Sequence, residues 1–433
     1  MAVIELDTGP APAATTHPPV RLSRPAGLVA AVLLLFALGG AAPITPVMWR
    51  PLGSIPLATD GTVTMTGDRI VTISDGDLTR KVSVWQADGP RRLWTATTAM
   101  TEPGADVVVL SGARVVVAGD TVLVWRPDYR TAALDLNTGR LRFVARARVE
   151  TAAPGVGVTR ESVFRPGSEY DQQSGDAGPL YFAEDGRAYR EPPLSSALIG
   201  VDLNDGRELW RLPLRGLGLT SAVRDGLLVL SADRIQVVDP ATGRVLRERA
   251  SGGAWADVFD DVVVVQEEQR TVGYDIATLT PRWTSPVRLL SDTITGARCD
   301  GVLCRRDRDA VKVIDPVTNT TVWQTGREVS LRREGAVVIE YDSLTQRPLR
   351  LNDARTGRTI EDLRGWQTVS VLTGGDPLLS RVEPGARRMS FAVVRAGRIQ
   401  PLGYAGSIVR DCRAADGLAV CRTDESVELF AYR

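Results

Sequence analysis

The sequence predicts an all-β protein, a β-propeller of four-stranded antiparallel blades. Two observations carry the prediction. An Asp-x-x-x-Gly-x-x-x-Trp unit recurs along the chain, and short apolar runs of two-residue period, bounded by Gly, Asp and Pro, precede its copies. After residue 45 no stretch keeps a 3.6-residue period over about 11 residues, so few helices are expected.

The aspartates of the unit are Asp135, Asp202, Asp239, Asp275, Asp315 and Asp353, separated by 67, 37, 36, 40 and 38 residues. Four of these five intervals fit one four-stranded blade. Each aspartate ends an apolar strand such as Ile235-Gln236-Val237-Val238, and its carboxylate can accept backbone N–H groups of the following turn. Four residues on stand Gly139, Gly206, Gly243 and Gly357, which supply a positive φ without steric cost. Asn319 fills that place once, and Leu279 breaks the rule. Eight residues after the aspartate come Phe143, Trp210, Trp283 and Trp323, placed on the outgoing strand to wedge between blades. An earlier copy has Gln86 and Trp94 in the two places, while Arg247 and Glu361 replace the aromatic in the Asp239 and Asp353 copies. Weaker echoes near Val393 and Val427 bring the repeats to between seven and nine, and eight blades are expected. The strand-like segments Val47 to Leu57 and Val427 to Arg433 are expected to pair in one closing blade, which removes exposed edges.

Residues 1–25 read as a disordered cytoplasmic tail rich in Pro, Ala and Thr. Residues 26–44 form an apolar segment with Arg21 and Arg24 just before it, which places the propeller, residues 47–433, outside the cytoplasm. Two readings stand: an uncleaved transmembrane helix, or a signal peptide cleaved near Gly39-Gly40-Ala41-Ala42 and a secreted product. Pro43 directly after Ala42 favours the anchor.

Composition removes several chemistries. There is one histidine, His17, in the tail, so the folded part has no histidine nucleophile relay, general base or metal ligand. Lys plus Arg and Asp plus Glu both number 52, so no net field favours nucleic acid. The cysteines form two local pairs, Cys299/Cys304 and Cys412/Cys421, and export makes disulfides the expected state over a zinc site. An Asp416-Gly417 turn would set Cys412 opposite Cys421, whereas Cys299 and Cys304 need a looser loop. No metal is expected.

The motif resembles the PQQ-binding-like β-propeller repeat family, whose pattern runs roughly Ala-x-Asp-x-x-Thr-Gly-x-x-x-Trp. Ala133-Leu134-Asp135-Leu136-Asn137-Thr138-Gly139 with Phe143 is the nearest copy, followed by Val201-Asp202 through Gly206 and Trp210. The resemblance covers most of residues 50–433. It implies a propeller, either a quinoprotein dehydrogenase or a cofactor-free scaffold of the outer-membrane-assembly type. The dehydrogenases use adjacent cysteines and a calcium site of Glu, Asn and Asp, and neither can be matched here. The expectation is a cofactor-free, membrane-tethered scaffold for cell-envelope proteins, with a quinoprotein-like or small-ligand-binding enzyme as the alternative.

The interval from Asp135 to Asp202 is about 28 residues longer than the repeat and carries Tyr170, Tyr181 and Phe182. Long loops on rigid rings are where function concentrates, and these aromatics are the partner-binding candidates, with a self-packed insertion as the rival reading.

Overall fold

The computed structural model describes residues 49–432 apart from 59–60, 76–78, 100–113, 126–129, 172–174, 176–177, 185, 215–219, 225–226, 232–233, 251–254, 268–269, 288, 290–298, 372–376, 384, 386–387, 396–397 and 416. The expected tail and apolar segment lie outside the described residues. Among the described residues no helix is long and apolar enough to cross a membrane.

The chain forms successive antiparallel sheets. Five are four-stranded, and an eight-stranded and a five-stranded sheet, each joined through one parallel contact, contain three more four-stranded antiparallel sets. In chain order these sets cover residues 62–99 (sheet 1), 114–145 (sheet 2), 150–214 (sheet 3), 220–250 (sheet 4), 255–285 (sheet 5), 329–362 (sheet 7), 367–405 (sheet 8) and 410–431 with Arg50–Pro56 (the closing sheet). A further sheet, residues 304–326 (sheet 6), has three strands among the described residues.

Within a blade the second and third strands are buried on both faces. Val262, Val263, Val264 and Val265 are all fully buried, because each sheet stacks between two neighbours. Outer strands are half-wet, as in Leu141–Ala145, where Leu141 is 57% exposed. A run of β-branched residues in the second strand and a mixed fourth strand thus follow from one stacking geometry.

The ring closes as the sequence predicted. Arg50–Pro56 pairs antiparallel with Ser426–Ala431, so the outer strand of the closing sheet comes from the far end of the chain. The register also reveals an inversion. In sheet 2 the third and outer strands pair Leu134 with Leu141 and Ala133 with Phe143, skipping one residue. The same skip pairs Pro51 with Phe430 and Gly53 with Leu429, and Pro401 with Ala392 and Gly403 with Phe391. Glycine therefore occupies the aromatic position on both sides of the closing sheet. The bulk comes from the neighbour instead: a Cβ on Gly53 would lie 2.7 Å from Pro90 Cγ, and one on Gly403 2.6 Å from Trp49 Cβ. Trp49 stacks on Phe391 and Phe430 with centroids at 4.3 and 4.5 Å.

Candidate functional site

The repeat residues build one recurring turn. Asp135 Oδ1 accepts Asn137 N–H at 3.0 Å and Thr138 N–H at 2.8 Å, and Asp353, Asp315, Asp275, Asp239 and Asp202 accept equivalent bonds. The residue four places on donates its N–H back to the aspartate carbonyl in all six copies. All six have positive φ, including Asn319 at 56° and Leu279 at 53°. Leu279, the copy that departs from the sequence rule, forms the same turn.

The aromatic of one blade sits on the turn of the next. Indole N–H groups of Trp94, Trp210, Trp283 and Trp323 donate to the carbonyls of Leu136, Pro240, Pro316 and Ala354 at 2.7, 2.9, 2.8 and 3.2 Å. A Cβ on Gly139, Gly206, Gly243 or Gly357 would lie 2.3–2.5 Å from the preceding sheet's Trp94, Phe143, Trp210 or Trp323. The glycines therefore have two duties, a left-handed backbone and room for a ring. This joins two departures that look independent in the sequence. Arg247 replaces the aromatic at the one junction where Leu279 replaces the glycine. Leu279 is 3% exposed and packs with Ile235 and Val237 of sheet 4, taking the ring's space. Arg247 stays exposed and donates from Nε to Ala277 O at 3.0 Å, keeping the polar half of the contact.

The long interval is an insertion at the tip of a blade hairpin. Val156–Val163 and Ser195–Asp202 pair without a break over their full length, and residues 164–194 connect their ends. The insertion packs on itself. Phe164 stacks on Tyr189 at 3.9 Å, and Tyr181–Phe182 pairs with Ala188–Tyr189. Glu184 accepts both N–H and Oγ–H of Ser162, at 3.0 and 2.7 Å, and pairs with Arg160 at 3.1 Å. Of the three aromatic candidates, Tyr170 spends its hydroxyl on Gly175 O at 3.0 Å, and Tyr181 is half-buried opposite Tyr189. Phe182 is 65% exposed, and Leu194 and Val163, joined by a 2.7 Å backbone bond, are 61% and 47% exposed.

Residues 194–360 match the family model described as outer membrane protein assembly factor BamB. Those residues carry PQQ-like propeller repeats. No curated protein matches this chain by sequence. Among solved structures, BamB from Moraxella catarrhalis is 13% identical, with a TM-score of 0.41 over 89% of this chain and 100% of that one. The quinohemoprotein alcohol dehydrogenase ADHIIG from Pseudomonas putida HK5 is 12% identical, with a TM-score of 0.40 over 89% of this chain and 76% of that one. The computationally designed Ika8 protein is 17% identical, with a TM-score of 0.42 over 73% and 95%.

Both expected disulfides are present in the propeller. Cys412–Cys421 crosses the first two strands of the closing sheet with Cα atoms 4.0 Å apart. The predicted register holds for Arg413/Val420, Ala414/Ala419 and Ala415/Leu418, but a bulge at Asp411, φ 46°, shifts the pairing beyond Cys412. Cys299–Cys304 does more than close a loop. Cys299-Asp300 runs parallel to Leu331-Arg332 of sheet 7, while Cys304 belongs to sheet 6, so this bond ties two neighbouring sheets. Among the described residues no group of three metal-ligating side chains occurs.

Three devices of the propeller went unread in the sequence. Arg142 Nη2 bonds Asp120 and Asp135 at 2.8 and 2.5 Å, tying the first turn of sheet 2 to its last, and Arg282 does the same for Asp261 and Asp275. The Arg142 guanidinium holds Asp135 down at about 2, with Thr138 helping. The signal was an arginine seven residues after the aspartate. Asp342, in a turn with Gln346 at φ 55°, repeats the aspartate chemistry at another hairpin of sheet 7. Thr131 and Thr271 each bond the segment leaving their blade, donating to Ala147 O and Val287 O and accepting from Val149 and Leu289 N–H.

Proposed function

We propose that this PQQ-like propeller is a non-catalytic scaffold, tethered by residues 26–44 to the outer face of the cell membrane, where it holds a protein partner. The observation that carries the reading is the insertion at 164–194. Its base is a continuously paired hairpin, its interior is locked by Phe164–Tyr189 and Glu184–Ser162, and it leaves Phe182, Leu194 and Val163 in water. A self-packed insertion with an aromatic and two aliphatic side chains exposed is the arrangement of an interface anchor. The two disulfides agree with an oxidising compartment. Crosslinking in cells followed by affinity capture tests it. Wild type should retain a specific envelope protein, and deletion of residues 165–190 should lose it with the melting temperature held. Retention by the deletion variant overturns the assignment of the surface.

A further inference from the structure

Sheet 1 meets the closing sheet across a cleft of about 410 Å³. One cross-strand pair of sheet 1 lines it. At equivalent register, sheet 2 pairs Val124 with Ala132 and sheet 5 pairs Val265 with Val272, and these side chains pack in the cores they share with the preceding sheet. Sheet 7 puts Glu340 opposite Arg350 there, bonded at 2.9 Å. Sheet 1 has Thr72 opposite Ser83, two hydroxyl-bearing residues with 4% and 6% exposure, which bring neither an apolar seal nor a long ion pair.

The cleft wall is pre-set. Thr72 Oγ1 accepts the Trp85 indole N–H at 3.0 Å, and Ser83 Oγ shares a 2.9 Å bond with Thr95 Oγ1. This fixes the indole ring on the cleft. Lys81 and Arg92 stand on the sheet 1 side, and Asp424 and Glu425 belong to the closing sheet's turn across from them. A simple anion would meet the carboxylates and a simple cation the basic groups. A neutral molecule rich in hydroxyls meets no like charge, finds donors and acceptors on both walls, and can lay a C–H face on the indole. The volume falls in the roughly 300–1,000 Å³ range of small-molecule pockets.

We propose that this cleft is a binding site for a neutral saccharide of one or two rings. The site is independent of the insertion, so its failure would leave the scaffold reading untouched. The test is ligand-observed saturation-transfer NMR on the full chain in a zwitterionic, sugar-free detergent, with maltose, cellobiose and diacetylchitobiose as probes and inorganic phosphate as the charged control. The expected result is saturation of at least one disaccharide, not displaced by phosphate, with affinity falling at least tenfold in Trp85→Ala and severalfold in Glu425→Gln. Glu425 is exposed, so its variant should melt as wild type does and reports binding alone. Absence of saturation with all three disaccharides, displacement by phosphate, or binding unchanged in Glu425→Gln and Trp85→Ala overturns the proposal.

Discussion

Replacing Gly243 by alanine separates the two duties of the turn glycine. Gly243 has φ 69°, and its added Cβ would lie 2.5 Å from the Trp210 ring. Left-handed backbone costs an L-residue about 1–2 kcal/mol. Forcing a methyl into a packed ring adds about 1–3 kcal/mol. Gly335 offers the control, with φ 61° and nothing within 4 Å of its Cβ. Gly335→Ala should therefore cost only the backbone part, about 1–2 kcal/mol. Gly243→Ala should cost about 2–5 kcal/mol, the two parts together. Trp210→Ala should itself cost about 3–5 kcal/mol, and in that background Gly243→Ala should cost less than it does in wild type, because the ring clash is gone and only the 2.8 Å approach to the Cβ of residue 210 remains. Urea unfolding followed by tryptophan fluorescence measures all four variants. Equal costs for the two glycine variants, or additive costs for Gly243→Ala and Trp210→Ala, would refute the packing argument.

Other outcomes follow from the same geometry. Arg247→Trp alone should destabilise by about 1–3 kcal/mol, because Leu279 holds the ring's space, and adding Leu279→Gly should recover most of it; thermal melts of the single and double variants decide this. Replacing Cys412 and Cys421 together by serine should cost about 2–3 kcal/mol, the loop-closure value for a short ring, read as a lower urea midpoint. Asp135 is held at about 2 by Arg142, so its carboxylate contributes stability above its ordinary value near 4, and that contribution is lost as pH falls toward 2. Arg142→Met should lower stability at neutral pH and flatten the acid-unfolding curve between roughly pH 4 and 2, and an unchanged curve would exclude the coupling.

How far the fold could be read in advance depends on the reach of each interaction. Asp135 and Gly139 act within one turn, so their spacing alone reveals the hairpin. The chain ends could be matched because both are strand-like and a ring must hide its edges. The inverted junctions were invisible, since Gly53 and Gly403 acquire their meaning only from Pro90 and Trp49, which the register brings beside them. Leu279 looked like a broken copy because a leucine in left-handed backbone is costly, and the compensating burial against Ile235 and Val237 appears only once sheets stack. The order of the insertion rests on Phe164 meeting Tyr189 and Glu184 meeting Ser162, pairings that no local pattern announces. Tyr170 and Tyr181 were sensible anchors by residue type, and the structure uses both largely for its own packing.

The scaffold reading stands or falls on Phe182. Crosslinked capture with wild type and Phe182→Ala, each checked for the same melting temperature, measures it most directly. The variant should fold normally and recover at least tenfold less of the partner. Undiminished capture by Phe182→Ala and by the 165–190 deletion alike would contradict the scaffold reading.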